Sequence, residues 1–135
     1  MIVSNLKKVQ KNIKAAAAKA NRDYKEIKLL AVSKKHSIDE IKTLKQAGLN
    51  FFGENRVQEL EEKNEKLLSE GIELDWHFIG HLQRNKVKYL MRMENCRMIQ
   101  SLDSLRLANL LKIRFPQTSF SQVRTATPLQ KYVEL

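Results

Sequence analysis

Hydrophobic and polar positions alternate along the chain with two periods, one typical of helices and the other of buried strands. Apolar side chains three or four residues apart predict an amphipathic N-terminal helix, with an apolar face made of Leu6, Val9, Ile13, Ala17 and Ala20. An uninterrupted apolar run at residues 27–32 follows, and such a run is typical of a strand that is buried on both faces. The chain therefore begins with a predicted helix and a predicted buried strand.

The strand is followed by a helical pattern, and this strand-then-helix unit recurs three more times. Further strands are predicted at residues 49–53, 75–80 and 97–101. Ser37 and Glu40 form an S-x-x-E capping box for the first crossover helix, and Asp103 is the predicted N-cap of the last one. Four such units predict an α/β fold whose parallel strands lie side by side in chain order.

Parallel strand-helix units occur mainly in open doubly wound sheets and in (β/α)8 barrels. The chain has four glycines and contains neither G-x-G-x-x-G nor G-x-x-x-x-G-K-[ST]. Polar residues instead follow the predicted strands: Ser33 and Lys34 after the first, Glu54 and Asn55 after the second. In a barrel these positions form the active face. The sequence therefore favours a partial TIM-type (β/α)8 barrel, with its first four βα units preceded by an N-terminal helix.

The formal net charge of +10 raises the possibility of a nucleic-acid partner. The excess lies mainly in residues 1–50, which carry twelve basic and four acidic side chains. Many of these lysines fall at polar positions of the first predicted helix, where a solvated helix face is the simpler interpretation. Nucleic acid is thus an unlikely partner, and a non-enzymatic interaction or RNA-binding module remains the alternative function.

Several features of the sequence bear on the cellular compartment of the protein. The length of 135 residues favours one domain, and no segment reaches the roughly 18 uninterrupted apolar residues of a membrane span. Lysines are spread through the first helix rather than confined to a short leader, unlike in a secretory signal. The single cysteine, Cys96, cannot form an internal disulfide, which fits a reducing compartment. A cytoplasmic protein is expected.

Four motifs carry a family resemblance: AVSK (31–34), FGENRVQE (52–59), WHFIGHLQRNK (76–86) and IQSLDS (99–104). In this order and spacing they resemble the pyridoxal 5'-phosphate homeostasis protein family. The resemblance covers residues 1–111 approximately and implies a barrel related to the alanine racemase N-terminal domain. It implies binding of pyridoxal 5'-phosphate (PLP) without catalytic turnover. Such a protein is expected to buffer PLP or deliver it to PLP-dependent apoenzymes, and so to influence vitamin B6 balance.

The resemblance implies that Lys34, which closes the V-S-K motif, holds PLP as a Schiff base. The alternation of side chains along a strand agrees with this assignment. Leu30, Val32 and Lys34 are two residues apart and so share one face, whereas Lys35 falls on the other side or in the loop. Asn55 is expected either to hydrogen-bond the cofactor or to cap the following helix.

His77 is expected to be packed in the core or adjacent to PLP. The i,i+4 spacing of His77 and His81 would suit a metal on a helix, but the strand pattern and Gly80 interrupt any helix there. No third ligand lies nearby, so no metal site is predicted.

The family's phosphate-binding motifs, S-M-G-M-S and R-I-G, do not occur in these 135 residues. Residues 112–135 are predicted to be a divergent tail with irregular structure, because Pro116 and Pro128 are interleaved with serine and threonine. A C-terminally truncated family member that binds PLP weakly or not at all is the expectation. Amino-acid racemisation, by analogy with the parent fold, is the weakest alternative because no second catalytic group is visible.

Overall fold

A computed structural model describes the backbone of residues 1–114 and 133–134 and the side chains of residues 1–111. Helices and strands alternate after an N-terminal helix. In chain order the elements are α1 (Ile2–Lys19), β1 (Leu30–Val32), α2 (Ile38–Gln46), β2 (Phe51–Glu54), α3 (Val57–Ser69), β3 (Asp75–Phe78), α4 (Val87–Met91), β4 (Cys96–Ile99), α5 (Leu105–Arg114) and β5 (Val133–Glu134).

The strands form one parallel sheet in the order β4-β3-β2-β1-β5. The predicted side-by-side arrangement of the first four strands is therefore confirmed, as is the α/β class. Each strand is shorter than predicted, and β1 spans three residues rather than six. A register shift between Trp76 and His77 interrupts the pairing of β3 with β4.

The hydrophobic core lies between the sheet and the helices. Alternate strand residues, among them Ala31, Phe52, Trp76 and Phe78, pack with apolar side chains of all five helices. The Trp76 indole N–H donates to the Asn64 side-chain oxygen of α3 at 3.0 Å. Because neighbouring residues of a strand point to opposite faces, His77 lies on the face away from α3.

Local capping explains where two of the described helices, α2 and α5, begin. The Ser37 hydroxyl accepts from the Glu40 N–H and the Glu40 carboxylate accepts from the Ser37 N–H, so the predicted capping box is confirmed. Asp103 is not the cap of α5, because the Ser104 hydroxyl accepts from the N–H of Leu107. The predicted position was wrong by one residue.

The predicted boundary at residues 111 and 112 falls within α5, which continues to Arg114. At the other end of the predicted tail, Val133 and Glu134 pair in parallel with Ala31 and Val32. These two residues form a strand where irregular structure was expected. Residues 115–132 lie outside the described part of the chain, so the division into 1–111 and 112–135 stays a prediction.

The exposed and buried side chains of α1 test the amphipathic helix that was predicted for the first third of the sequence. The side chains of Lys7, Lys8, Lys11, Lys14 and Lys19 are exposed, whereas Leu6 and Ala17 are buried. The predicted amphipathic helix is confirmed, except that Ala20, assigned to its apolar face, is exposed and lies just beyond the end of α1. Among the helices of the described residues, none combines the length and the apolar character needed to cross a bilayer.

Candidate functional site

Lys34 lies in the turn that follows β1. Ser33 extends the strand pairing by one residue, because its N–H donates to the Gly53 carbonyl at 3.0 Å. The chain then turns, and the His36 N–H donates back to the Ser33 carbonyl at 3.0 Å. Lys34 is half-buried, whereas Lys35 is exposed and has a positive φ of 63°. The two lysines thus differ in environment, although both lie in the turn beyond the last strand residue, Val32.

Asn55 leaves the same edge of the sheet as Lys34. The last register pair of β1 and β2 is Val32 with Gly53, and Lys34 and Asn55 each come two residues later. The structure therefore brings them to one edge, formed by the carboxyl ends of the strands. Helix α3 begins at Val57 and has no side-chain cap, so Asn55 is not its N-cap.

The backbone of Gly80 packs directly against Asn55. A Cβ atom at residue 80 would lie 2.1 Å from the Asn55 carbonyl oxygen and 2.8 Å from its Cα. Only glycine fits such a close approach without backbone movement. Gly80 therefore fixes where the chain after β3 passes the chain after β2.

His77 lies deeper in the sheet than Lys34 and Asn55. Its register partner on β2 is Gly53, which places it about 7 Å from the level of Asn55 along the strand direction. The His77 ring is 7% exposed and contacts Phe51 edge-on, with ring centroids 5.8 Å apart. The Gln100 Nε2 lies 2.8 Å from the His77 Nδ1. The structure thus places His77 below the edge, and Gln100 links it to the chain after β4.

Burial, together with the nearby charge of Lys28, lowers the pKa of His77 to about 4, and Asp75 opposes the shift. The imidazole is therefore neutral at pH 7. When Gln100 donates its amide N–H to Nδ1, the ring proton resides on Nε2. His77 then presents a fixed, uncharged ring beneath the edge.

A pH titration of stability tests this environment. The folded pKa of His77 lies below its ordinary value of 6.5, so its contribution is complete above pH 6.5 and is lost as pH falls through about 4. The loss amounts to at most about 3 kcal/mol. We expect His77→Gln to flatten the pH dependence of the unfolding free energy across this window, measured by urea denaturation.

The matched control is His81→Gln, because the His81 side chain is 72% exposed. The unfolding free energy of this variant should change with pH in the same way as that of the unmodified chain. An unchanged slope in His77→Gln would contradict the assigned neutral state.

His81 does not join His77 in a common site. Its Nδ1 lies 3.3 Å from an oxygen of Asp103, with both side chains largely exposed. The His77 ring instead contacts Gln100 and Phe51 on the sheet. Across residues 1–114 and 133–134 no cluster of three histidine, cysteine or acidic side chains is placed to hold a metal ion.

Sequence reasoning missed a buried polar network on the helix-facing side of the same edge. Lys63 of α3 donates to the Ser33 carbonyl and to the carboxylates of Glu54 and Glu59. A signal was present, because Lys63 falls among the buried positions of α3, between Leu60 and Leu67. A lysine in a buried stripe requires acidic or carbonyl partners.

Comparison with solved structures defines the class of protein. PipY from Synechococcus elongatus, determined with PLP bound, is 27% identical and superposes with a TM-score of 0.60, over 88% of this chain and 72% of PipY. The fold thus aligns the chain with a class of parallel α/β proteins that includes a member determined with PLP bound.

Two curated relatives of the chain carry the same name. A protein of Haemophilus influenzae is 43% identical over 115 residues, covering 85% of this chain and 48% of the relative. A human protein is 43% identical over 108 residues, covering 77% of this chain and 39% of the relative. Both are named pyridoxal phosphate homeostasis protein. The chain is a relative of the pyridoxal phosphate homeostasis proteins, and the resemblance seen in its motifs is confirmed.

The chain spans about half the length of the curated relatives it matches. No family model matches it. The relatives are named as homeostasis proteins rather than as enzymes.

Proposed function

We propose that the chain binds PLP through Lys34 and serves intracellular PLP homeostasis without catalytic turnover. The observation that carries the proposal is the position of Lys34. It is a half-buried lysine at the carboxyl edge of a parallel sheet, level with Asn55, in a relative of PLP homeostasis proteins. When bound, PLP supplies an aldehyde that condenses with a lysine amine with loss of water.

The residues around Lys34 fit such a ligand in their chemistry. The Lys34 amine would provide the covalent anchor, and the Asn55 amide would donate to or accept from the polar atoms of the ring. The neutral His77 lies one layer below the edge, where it presents an uncharged ring. These three residues account for an anchor and an orienting group, without a phosphate cradle.

We further propose that the four βα units form the first half of a (β/α)8 barrel. The support is the sequential order of four parallel strands, each followed by a helix, with the candidate site at their carboxyl ends. In such barrels the phosphate site is built from loops after strands seven and eight. We expect weak retention of PLP, because the described residues supply an anchor and an orienting group without a phosphate cradle.

Covalent trapping tests the function. We expect incubation with PLP, borohydride reduction and tryptic mapping to place the label on Lys34. Trypsin cleaves after lysine, so a blocked Lys34 should leave an uncut peptide spanning residues 29–35. Label scattered over the exposed lysines of α1, or concentrated on Lys35, would contradict the proposal.

The alternative function is an interaction module that binds RNA or another polyanion through the basic N-terminal third. The observation behind it is the set of exposed α1 lysines. Such binding would be strongly salt-dependent and would give no covalent label on Lys34. We favour PLP binding, and we propose a cytoplasmic setting in which PLP-dependent apoenzymes receive the cofactor.

A further inference from the structure

The turn that carries Lys34 is held by a lysine of the neighbouring helix. Lys63 is 8% exposed, although lysine is among the residues least often buried. Its ammonium donates to the Ser33 carbonyl at 2.7 Å, to the Glu59 carboxylate at 2.9 Å and to the Glu54 carboxylate. An ammonium group has three N–H donors, so all of them are used.

Glu54 completes the network from the end of β2. Its side chain is fully buried, and its Oε1 accepts from Lys63 and from the Ser33 hydroxyl at 2.8 Å. Among the described residues its Oε2 has no hydrogen-bond partner. Burial raises the pKa of the Glu54 carboxyl, and the hydrogen bonds from Lys63 and Ser33 oppose this shift. A buried ion pair adds little net stability over apolar residues of equal volume, so its directional bonds suggest a geometric role.

The network contacts both residues that flank Lys34. Ser33 is bound through its carbonyl by Lys63 and through its hydroxyl by Glu54. The N–H of Lys35 donates to the Glu59 carboxylate at 3.1 Å. Lys35 has a left-handed φ of 63°, a conformation that costs a non-glycine residue about 1 kcal/mol. The contact from Glu59 therefore supports a backbone conformation that the sequence alone disfavours.

We propose that Lys63 and Glu59 are positioning residues, which hold residues 33–35 so that the Lys34 amine is presented at the carboxyl edge of the sheet. The inference rests on the proposed role of Lys34 and extends it to α3. Neither Lys63 nor Glu59 is required to touch the ligand. Their effect on Lys34 is transmitted by the backbone of Ser33 and Lys35.

The decisive variant is Glu59→Ala, because the Glu59 side chain is 28% exposed and its removal leaves the Glu54–Lys63 pair intact. We expect faster amide hydrogen exchange at residues 33–36 and about tenfold slower covalent trapping of PLP at Lys34. Glu59→Gln retains an acceptor oxygen for the Lys35 N–H and should restore most of the trapping rate. Glu62→Ala, on the exposed side of the same helix, is the matched control and should change neither quantity.

A second variant addresses the lysine itself. Lys63→Met in combination with Glu54→Gln removes both buried charges, so a charged Glu54 is not left unpaired. It should fold and should show the same faster exchange and slower trapping. Lys66→Met is its control, because Lys66 lies on α3 with a 63% exposed side chain.

The outcomes separate this inference from the proposed function. Unchanged exchange at residues 33–36 in Glu59→Ala would overturn the inference, as would faster exchange with unchanged trapping. If the unmodified chain did not trap PLP at Lys34, the proposed function would fail. Acetic anhydride labelling of Lys34, normalised to Lys66, would then decide the inference: an altered rate in Glu59→Ala supports it, and an equal rate overturns it.

Discussion

Replacing Lys34 with alanine is expected to abolish covalent capture of PLP, lowering the trapped label by about tenfold or more. The variant removes the amine and leaves the strand pairing before it intact, since the last register pair is Val32 with Gly53. The measurement is borohydride reduction followed by mass spectrometry of the intact chain and of its peptides.

Lys35→Ala is the matched control for this variant. Lys35 is adjacent in sequence but exposed, and its backbone N–H donates to Glu59. It should retain the label. Equal labelling of the Lys34→Ala and Lys35→Ala chains would remove the basis for the assigned anchor.

Gly80→Ala is expected to destabilise the chain by about 3 kcal/mol, the upper end of the usual range for overpacking. The added Cβ would overlap the Asn55 carbonyl at 2.1 Å, and the overlapped atoms are backbone atoms that cannot move aside by a rotamer change. Relief would require the chains after β2 and β3 to separate, so Asn55 would shift with them. The unfolding free energy from urea denaturation measures the effect.

Gly71→Ala separates this overlap from the general cost of replacing glycine. Gly71 has a positive φ of 75° and open space around the added atom, so only conformational strain of about 1 kcal/mol applies there. We expect Gly80→Ala to lower the unfolding free energy clearly more than Gly71→Ala does. Similar losses at the two positions would show that the close approach of Gly80 to Asn55 is tolerated by relaxation.

The parts of the fold that depend on local signals were predictable from the sequence. Ser37 and Glu40 are three residues apart, and their reciprocal hydrogen bonds follow from that spacing alone. The strand order followed from the rule that successive parallel strands lie side by side. Asp103 was misassigned because aspartate and serine are equally good caps, and the choice of Ser104 depends on tertiary structure.

Of the candidate site, only the residues that directly follow the strands were predictable from the sequence. Lys34 and Asn55 could be placed at one edge because the carboxyl ends of parallel strands meet there. Glu59 lies four residues before Lys63 on the same helix, which is a local pattern, but the other two partners of Lys63 lie 9 and 30 residues away and no local pattern joins them to it. The contact of Gln100 with His77 likewise depends on the register of β3 with β4, which the sequence pattern does not specify.

The pairing of β5 with β1 has a consequence for the order of folding during synthesis. Strands β1 to β4 can pair as they leave the ribosome, since each neighbour follows closely in the chain. The other edge of β1 must wait for Val133 and Glu134, and contacts between such distant residues tend to form late. The strand that precedes Lys34 therefore keeps one open edge until Val133 and Glu134 have been synthesised, and this edge can pair with another chain during that interval.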